Sequence, residues 1–100
     1  MVEQGPYSFP LENYMSREKF ERIKAAAKGV ETPFLLVDLG VIRANYEALR
    51  TALPFAKIYY AAKANPMTEV IAALRDLGSS FDVATRYELD QLLALGISPE

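Results

Sequence analysis

Lys63 is the residue of this sequence with the most direct route to covalent chemistry. It closes the run Lys57-Ile58-Tyr59-Tyr60-Ala61-Ala62-Lys63, rich in β-formers and short enough for a strand, and stands just before the turn Ala64-Asn65-Pro66. Strand alternation puts Tyr59, Ala61 and Lys63 on one face and Ile58, Tyr60 and Ala62 on the other. An ammonium brought against an apolar wall loses hydration, so the neutral amine becomes available to attack a carbonyl, as Schiff-base lysines do. Ala61, on the same face, is small enough to let a flat ring lie against the strand. The pattern fits equally a strand-end lysine that snorkels to water.

Asp82 follows Lys63 by 19 positions, at the end of the next short apolar run, Phe81-Asp82-Val83-Ala84. Neighbouring βα units would bring both side chains to one rim, where a carboxylate could pair with the amine, orient it or hold a water; an exposed turn or cap explains Asp82 as well. Glu88 completes a capping box with Thr85, and Asn65 is a good N-cap before Pro66, so both have structural explanations. Tyr59, Tyr60 and Tyr87 read as packing residues.

The chain has 100 residues and neither cysteine nor histidine, which removes disulfides, thiol nucleophiles, zinc sites and Ser-His triads and predicts no metal. Eleven Lys and Arg against 13 Asp and Glu are mixed along the chain, so no basic face is offered to nucleic acid. No apolar run is long enough for a membrane, and the N-terminus lacks the pattern of a signal peptide, so the chain reads as cytoplasmic.

These residues need elements to position them. Residues 1–15, with Gly5, Pro6, Pro10, Tyr7, Phe9 and Tyr14, read as an extended arm that docks elsewhere. Ser16 caps a helix from Arg17 to about Lys28, with Phe20, Ile23 and Ala27 on one stripe and Gly29 as the stop. The arm and helix make up residues 1–31; residues 32–100 hold the alternating elements. Phe34-Leu35-Leu36-Val37 predicts a strand buried on both faces. Ile42, Tyr46, Leu49 and Leu53 mark a helix over 41–53 that stops at Pro54. Asn65-Pro66 predicts a helix start with Pro66 in the first turn, Val70, Ile71, Leu74 and Leu77 as its buried stripe and Gly78 as its end. Thr85 opens a last helix lined by Leu89, Leu92 and Leu93, running to Gly96.

Strands alternating with helices of this length imply an α/β fold with a parallel sheet. No Gly-rich phosphate loop follows any strand, which weighs against a Rossmann or P-loop unit. A closed (β/α)₈ TIM-type barrel needs about 250 residues. The expectation is therefore a partial barrel, its N-terminal βα units only, from a longer protein.

The stretches Tyr60-Ala61-Ala62-Lys63-Ala64-Asn65 and Phe81-Asp82-Val83-Ala84-Thr85-Arg86-Tyr87-Glu88 together resemble the opening of the pyridoxal-phosphate-dependent decarboxylases of the alanine-racemase-like barrel class (fold type III), in particular the ornithine/lysine group. The resemblance runs from Thr32-Pro33-Phe34 to Leu95-Gly96-Ile97-Ser98-Pro99-Glu100. It implies that Lys63 carries pyridoxal 5'-phosphate covalently, that Asp82 and Glu88 lie at the cofactor, and that Ala61 is the small residue beside its ring. Thr85 stands where the family usually has serine, preserving the hydroxyl. Diaminopimelate decarboxylases tend to carry Ser-Gly-Gly-Glu where this chain has Thr85-Arg86-Tyr87-Glu88, and alanine racemases usually follow the lysine with Ala-Asn-Ala-Tyr-Gly, from which Pro66-Met67 departs.

The implied activity is decarboxylation of ornithine or lysine to putrescine or cadaverine in polyamine synthesis, by a homodimer acting on a small amino acid. The phosphate-binding glycines and the residues that the family contributes across its dimer are absent from these 100 positions, so the chain alone is expected to be inactive. A non-catalytic regulatory homologue is the alternative; retention of Lys63 with Asp82 argues for the enzyme.

Overall fold

The computed structural model describes residues 10–99. Of the extended arm expected over residues 1–15, residues 1–9 lie outside them, and within the rest Leu11–Asn13 form a 3₁₀ turn in place of extended chain. The chain divides into two compact units, Met1–Leu36 and Val37–Glu100.

In the first unit a 3₁₀ turn, Leu11–Asn13, precedes helix α1, Arg17–Ala27. The Ser16 side chain accepts from the Lys19 N–H at 3.2 Å, satisfying one of the free donors at the helix start. Phe20, Ile23 and Ala27 form a half-buried stripe. The strand expected over Phe34–Val37 does not form, and Leu35 is 81% exposed. Apolar, β-prone residues are not enough for a strand: the ladder needs a neighbour, and among the described residues the sheet contains two other strands only.

The second unit opens with α2, Leu39–Ala52, capped by Asp38, whose Oδ1 accepts from the Val41 N–H at 3.1 Å. Of its expected apolar face, Ile42 and Tyr46 are half-buried, whereas Leu49 and Leu53 remain exposed. Strands β1, Tyr59–Ala61, and β2, Ser80–Asp82, then pair in parallel, with Tyr59 opposite Ser80 and Ala61 opposite Asp82. Both are shorter than the sequence suggests. β1 gives way at Ala62 to a 3₁₀ turn, Ala62–Ala64, so Lys63 lies in that turn and not on the strand.

Helix α3, Thr68–Asp76, starts later than Asn65-Pro66 predicts. Asn65 Oδ1 accepts from the Met67 N–H at 3.1 Å, an Asx turn that holds Pro66 in the lead-in to the helix. α3 buries Val70, Ile71, Ala73 and Leu74, and it ends at Gly78, whose φ of +85° is left-handed and suits glycine. Helix α4, Arg86–Ala94, begins with the full capping box. The order β1, α3, β2, α4 gives two consecutive βα units, the α/β alternation expected.

The core of this unit is Ala62, Ile71 and Leu92, with Tyr60, Phe81, Val83, Leu95 and Ile97 packed against it. It joins the turn after β1 to α3 and α4, so the backbone next to Lys63 rests on the best-packed point of the molecule. Burying an isoleucine such as Ile71 contributes about 1.5–3 kcal/mol. Leu89 and Leu93, expected to line the core, are instead 39% and 46% exposed. They face a cleft of about 580 Å³ that also borders Lys57, Tyr59, Ser80 and Ile97. Leu92 also borders this cleft, but of the three leucines it is the one that is buried, packed with Ala62 and Ile71.

Candidate active site

The C-terminal ends of the two parallel strands carry the candidate residues, as expected for a βα fold. Ala61 and Asp82 are the last residues of β1 and β2 and are partners in register. Lys63 follows Ala61 by two positions and is exposed. Its turn is braced from three directions. The Tyr60 hydroxyl donates to the Asn65 carbonyl at 3.0 Å, Asn65 Oδ1 closes the turn onto Met67, and Gln91 Nε2 donates to the Pro66 carbonyl at 2.7 Å. Tyr60 also meets Phe81 edge-on, with ring centroids 6.3 Å apart. Burial pushes its phenol above the ordinary range, partly offset by the bond to Asn65, so it stays protonated and serves as a donor.

Among the described residues, Glu88 is the one charged residue that is buried, 8% exposed. Its Oε2 accepts from the Ala84 N–H at 2.8 Å, the Thr85 N–H at 2.8 Å and the Thr85 hydroxyl at 3.0 Å, while Thr85 Oγ1 accepts from the Glu88 N–H at 3.2 Å. The Ala84 N–H does most to hold the carboxyl below its ordinary value. Desolvation opposes it, and the Thr85 hydroxyl, the Thr85 N–H and the positive charge of Lys63 add to it. The capping box therefore does two things: it starts α4 and it keeps an anion within electrostatic reach of the lysine.

Asp82 is exposed and makes no ion pair with Lys63 among the described residues. The expectation of two side chains meeting along one rim assumed that β1 runs on to Lys63. β1 ends at Ala61 and Lys63 lies in the 3₁₀ turn after it, so the strand alternation on which that expectation rested does not extend to the amine. The structure thus relates Lys63 electrostatically to Glu88, and relates Asp82 to Ala61 through strand register. The cleft beside Leu89 and Leu93 includes none of these four residues.

Gln91 and the hydroxyl of Tyr60 are absent from the sequence-based candidates. Gln91 had a signal: it is a polar residue between Glu88 and Leu92, on the flank of α4 that turns inward. The Tyr60 bond had none, because its acceptor is a backbone carbonyl in a turn of unforeseen shape.

The family described as "Pyridoxal-dependent decarboxylase, pyridoxal binding domain" matches residues 39–100. The chain belongs to the pyridoxal-dependent decarboxylases. The lysine/ornithine decarboxylase of Selenomonas ruminantium is 41% identical over 87 residues, covering 87% of this chain and 22% of that protein. The ornithine decarboxylase of Saccharomyces cerevisiae is 39% identical over 72 residues, covering 72% of this chain and 16% of that protein. A crystal structure of a lysine/ornithine decarboxylase from Vibrio vulnificus, complexed with putrescine, superposes with a TM-score of 0.74 at 38% identity, covering 82% of this chain and 23% of that one. The chain spans about a fifth of the length of these relatives.

Pyridoxal phosphate is the cofactor of this family, and the residues present fit it. A primary amine stands on a braced turn at the strand ends, the residue two before it has only a methyl side chain, and a carboxylate held ionised by three donors lies close enough to feel the amine's charge.

Proposed function

We propose that this chain supplies the first βα units of a decarboxylase of basic amino acids, ornithine or lysine, with pyridoxal phosphate carried on Lys63. The observation that carries the proposal is the placement of Lys63 in the turn just after β1, with the segment that follows held by Tyr60, Asn65 and Gln91, and the Glu88 carboxylate held by the Ala84 and Thr85 donors at the start of α4.

Each residue has a task in this reading. Lys63 holds the cofactor by its amine. Ala61 leaves room for a flat ring against β1. Asp82, level with Ala61 across the sheet, orients the amine or a water at the strand ends. Glu88 keeps a fixed negative charge beside the lysine. Pyridoxal phosphate supplies the electron-accepting ring that loss of carbon dioxide requires; the protein supplies alignment. Residues 1–31 are a segment ahead of the barrel, and the cofactor barrel starts within residues 32–100. The complete enzyme is a cytoplasmic homodimer acting on a small amino acid, without nucleic-acid or membrane partners. In support, charges of both signs are interspersed, and no described helix is long and apolar enough to cross a membrane. The relatives at about 40% identity are lysine/ornithine and ornithine decarboxylases, which favours this reading over a regulatory homologue or a diaminopimelate decarboxylase.

The test is to splice residues 39–100 into the Selenomonas enzyme in place of its matching segment and measure carbon dioxide release from ornithine and lysine. Activity is expected, with a fall of at least a thousandfold in the Lys63→Ala version, on the scale typical of losing a covalent group. Activity that survives Lys63→Ala, or a borohydride-reduced pyridoxyl label at Lys57 in place of Lys63, overturns the assignment.

A further inference from the structure

Gln91 stands one turn after Glu88 on α4 and is half-buried. Its Nε2 is used, donating to the Pro66 carbonyl at 2.7 Å, but its Oε1 is buried without a partner. Stability alone does not favour that arrangement. A side-chain oxygen shut away from water without a donor carries its full desolvation cost, and a leucine or methionine would occupy the space without it. What the amide accomplishes lies at the other end of its bond. The carbonyls of Asn65 and Pro66 follow the lysine turn and precede α3; Tyr60 holds the first from β1, and Gln91 holds the second from α4. The helix that carries Glu88 is thereby tied to the segment that carries Lys63.

We propose that Gln91 is a positioning residue for Lys63: by tying the Pro66 carbonyl to α4, it fixes the separation between the lysine amine and the Glu88 carboxylate. This rests on the reading of Lys63 and Glu88 as the working pair. Glu88 accepts from the N–H of Ala84 and from the N–H and hydroxyl of Thr85, all local to α4, whereas the Lys63 charge that also lowers its carboxyl comes from the segment that Gln91 ties to this helix.

The experiment is an NMR titration of the Glu88 carboxyl carbon in the full chain, unaltered and as Lys63→Met, Gln91→Leu and the double variant. Lys63→Met is expected to raise the Glu88 midpoint in the unaltered chain, and in the Gln91→Leu background that increment is expected to shrink at least twofold. Gln91→Arg, which keeps an N–H donor, is expected to restore it. Thermal stability of Gln91→Leu is expected to stay level or rise, because the orphan oxygen is gone. An undiminished increment in the Gln91→Leu background, or no increment from Lys63→Met in the unaltered chain, overturns the proposal. So does unfolding of both Gln91→Leu and Gln91→Met, which would make the residue structural. The carbon dioxide assay of the spliced Lys63→Ala enzyme is separate: its failure removes the decarboxylase reading and leaves this coupling measurable, while loss of the coupling leaves that reading standing.

Discussion

Replacing Thr85 by alanine removes the hydroxyl on which α4 begins. Oγ1 accepts from the Glu88 N–H at 3.2 Å and donates to Glu88 Oε2 at 3.0 Å, so one deletion frees a helix-terminal donor and strips a donor from the carboxylate. Loss of such a cap costs about 1 kcal/mol, within a range of roughly 0.5–2. That corresponds to about a fivefold rise in local opening of α4. The N–H groups of Ala84 and Thr85 remain on Oε2, so the Glu88 carboxyl should rise only part of the way towards its ordinary value. Native-state hydrogen exchange at the amides of α4 measures the opening, and carbon NMR of Glu88 measures the titration. Thr85→Ser is the control: it keeps the hydroxyl and should stay within about 0.5 kcal/mol of the unaltered chain. Thr85→Ser as damaging as Thr85→Ala, or Thr85→Ala without effect on either readout, would refute the account of this site as a charge held by a helix cap.

Glu88 also predicts a pH dependence. Its folded carboxyl titrates below the ordinary 4.5, so its stabilisation of α4 is whole above that value and is lost as pH falls through the lower folded value; in Glu88→Gln, amide exchange of α4 between about pH 6 and about pH 3 should lose this contribution. Ile71→Ala empties a fully buried position and should cost about 2–5 kcal/mol, read by denaturant unfolding; a cost under about 1 kcal/mol would mean that α3 is not packed as described. Gly78→Ala meets no atom within 4 Å, so its cost should be the left-handed backbone alone, about 1–2 kcal/mol in the same assay. Thermal unfolding of the 100-residue chain should be broad, since Phe34, Leu35 and Phe55 are exposed and the sheet has two strands among the described residues; a sharp calorimetric transition would contradict this.

The local features of the chain were legible in its sequence because their causes are local. Ser16 and Thr85 cap the helices they precede, since a side-chain oxygen reaches donors within three residues, and Gly29, Gly78 and Gly96 adopt positive φ where a helix must stop. The buried stripe of α3 followed from spacing alone. Lys63 and Glu88 stood out through their motifs, independently of where their side chains lie.

Other features depended on neighbours distant in sequence. Phe34–Val37 has strand composition but no ladder partner among the described residues, and Leu89 and Leu93 share an apolar pattern with Leu92 without sharing its burial. Their fates are set by what packs beside them. The site shows the same division: alternation implied that Lys63 meets Asp82, yet β1 ends at Ala61, and the charge of Lys63 adds to what lowers the Glu88 carboxyl. The sequence thus determined which groups are present and where helices begin and end, because those depend on contacts a few residues apart. Only the tertiary structure decided how those groups are set, because β1 stops at Ala61, Lys63 falls in a 3₁₀ turn, and the two carbonyls that follow the turn are held by Tyr60 from β1 and Gln91 from α4.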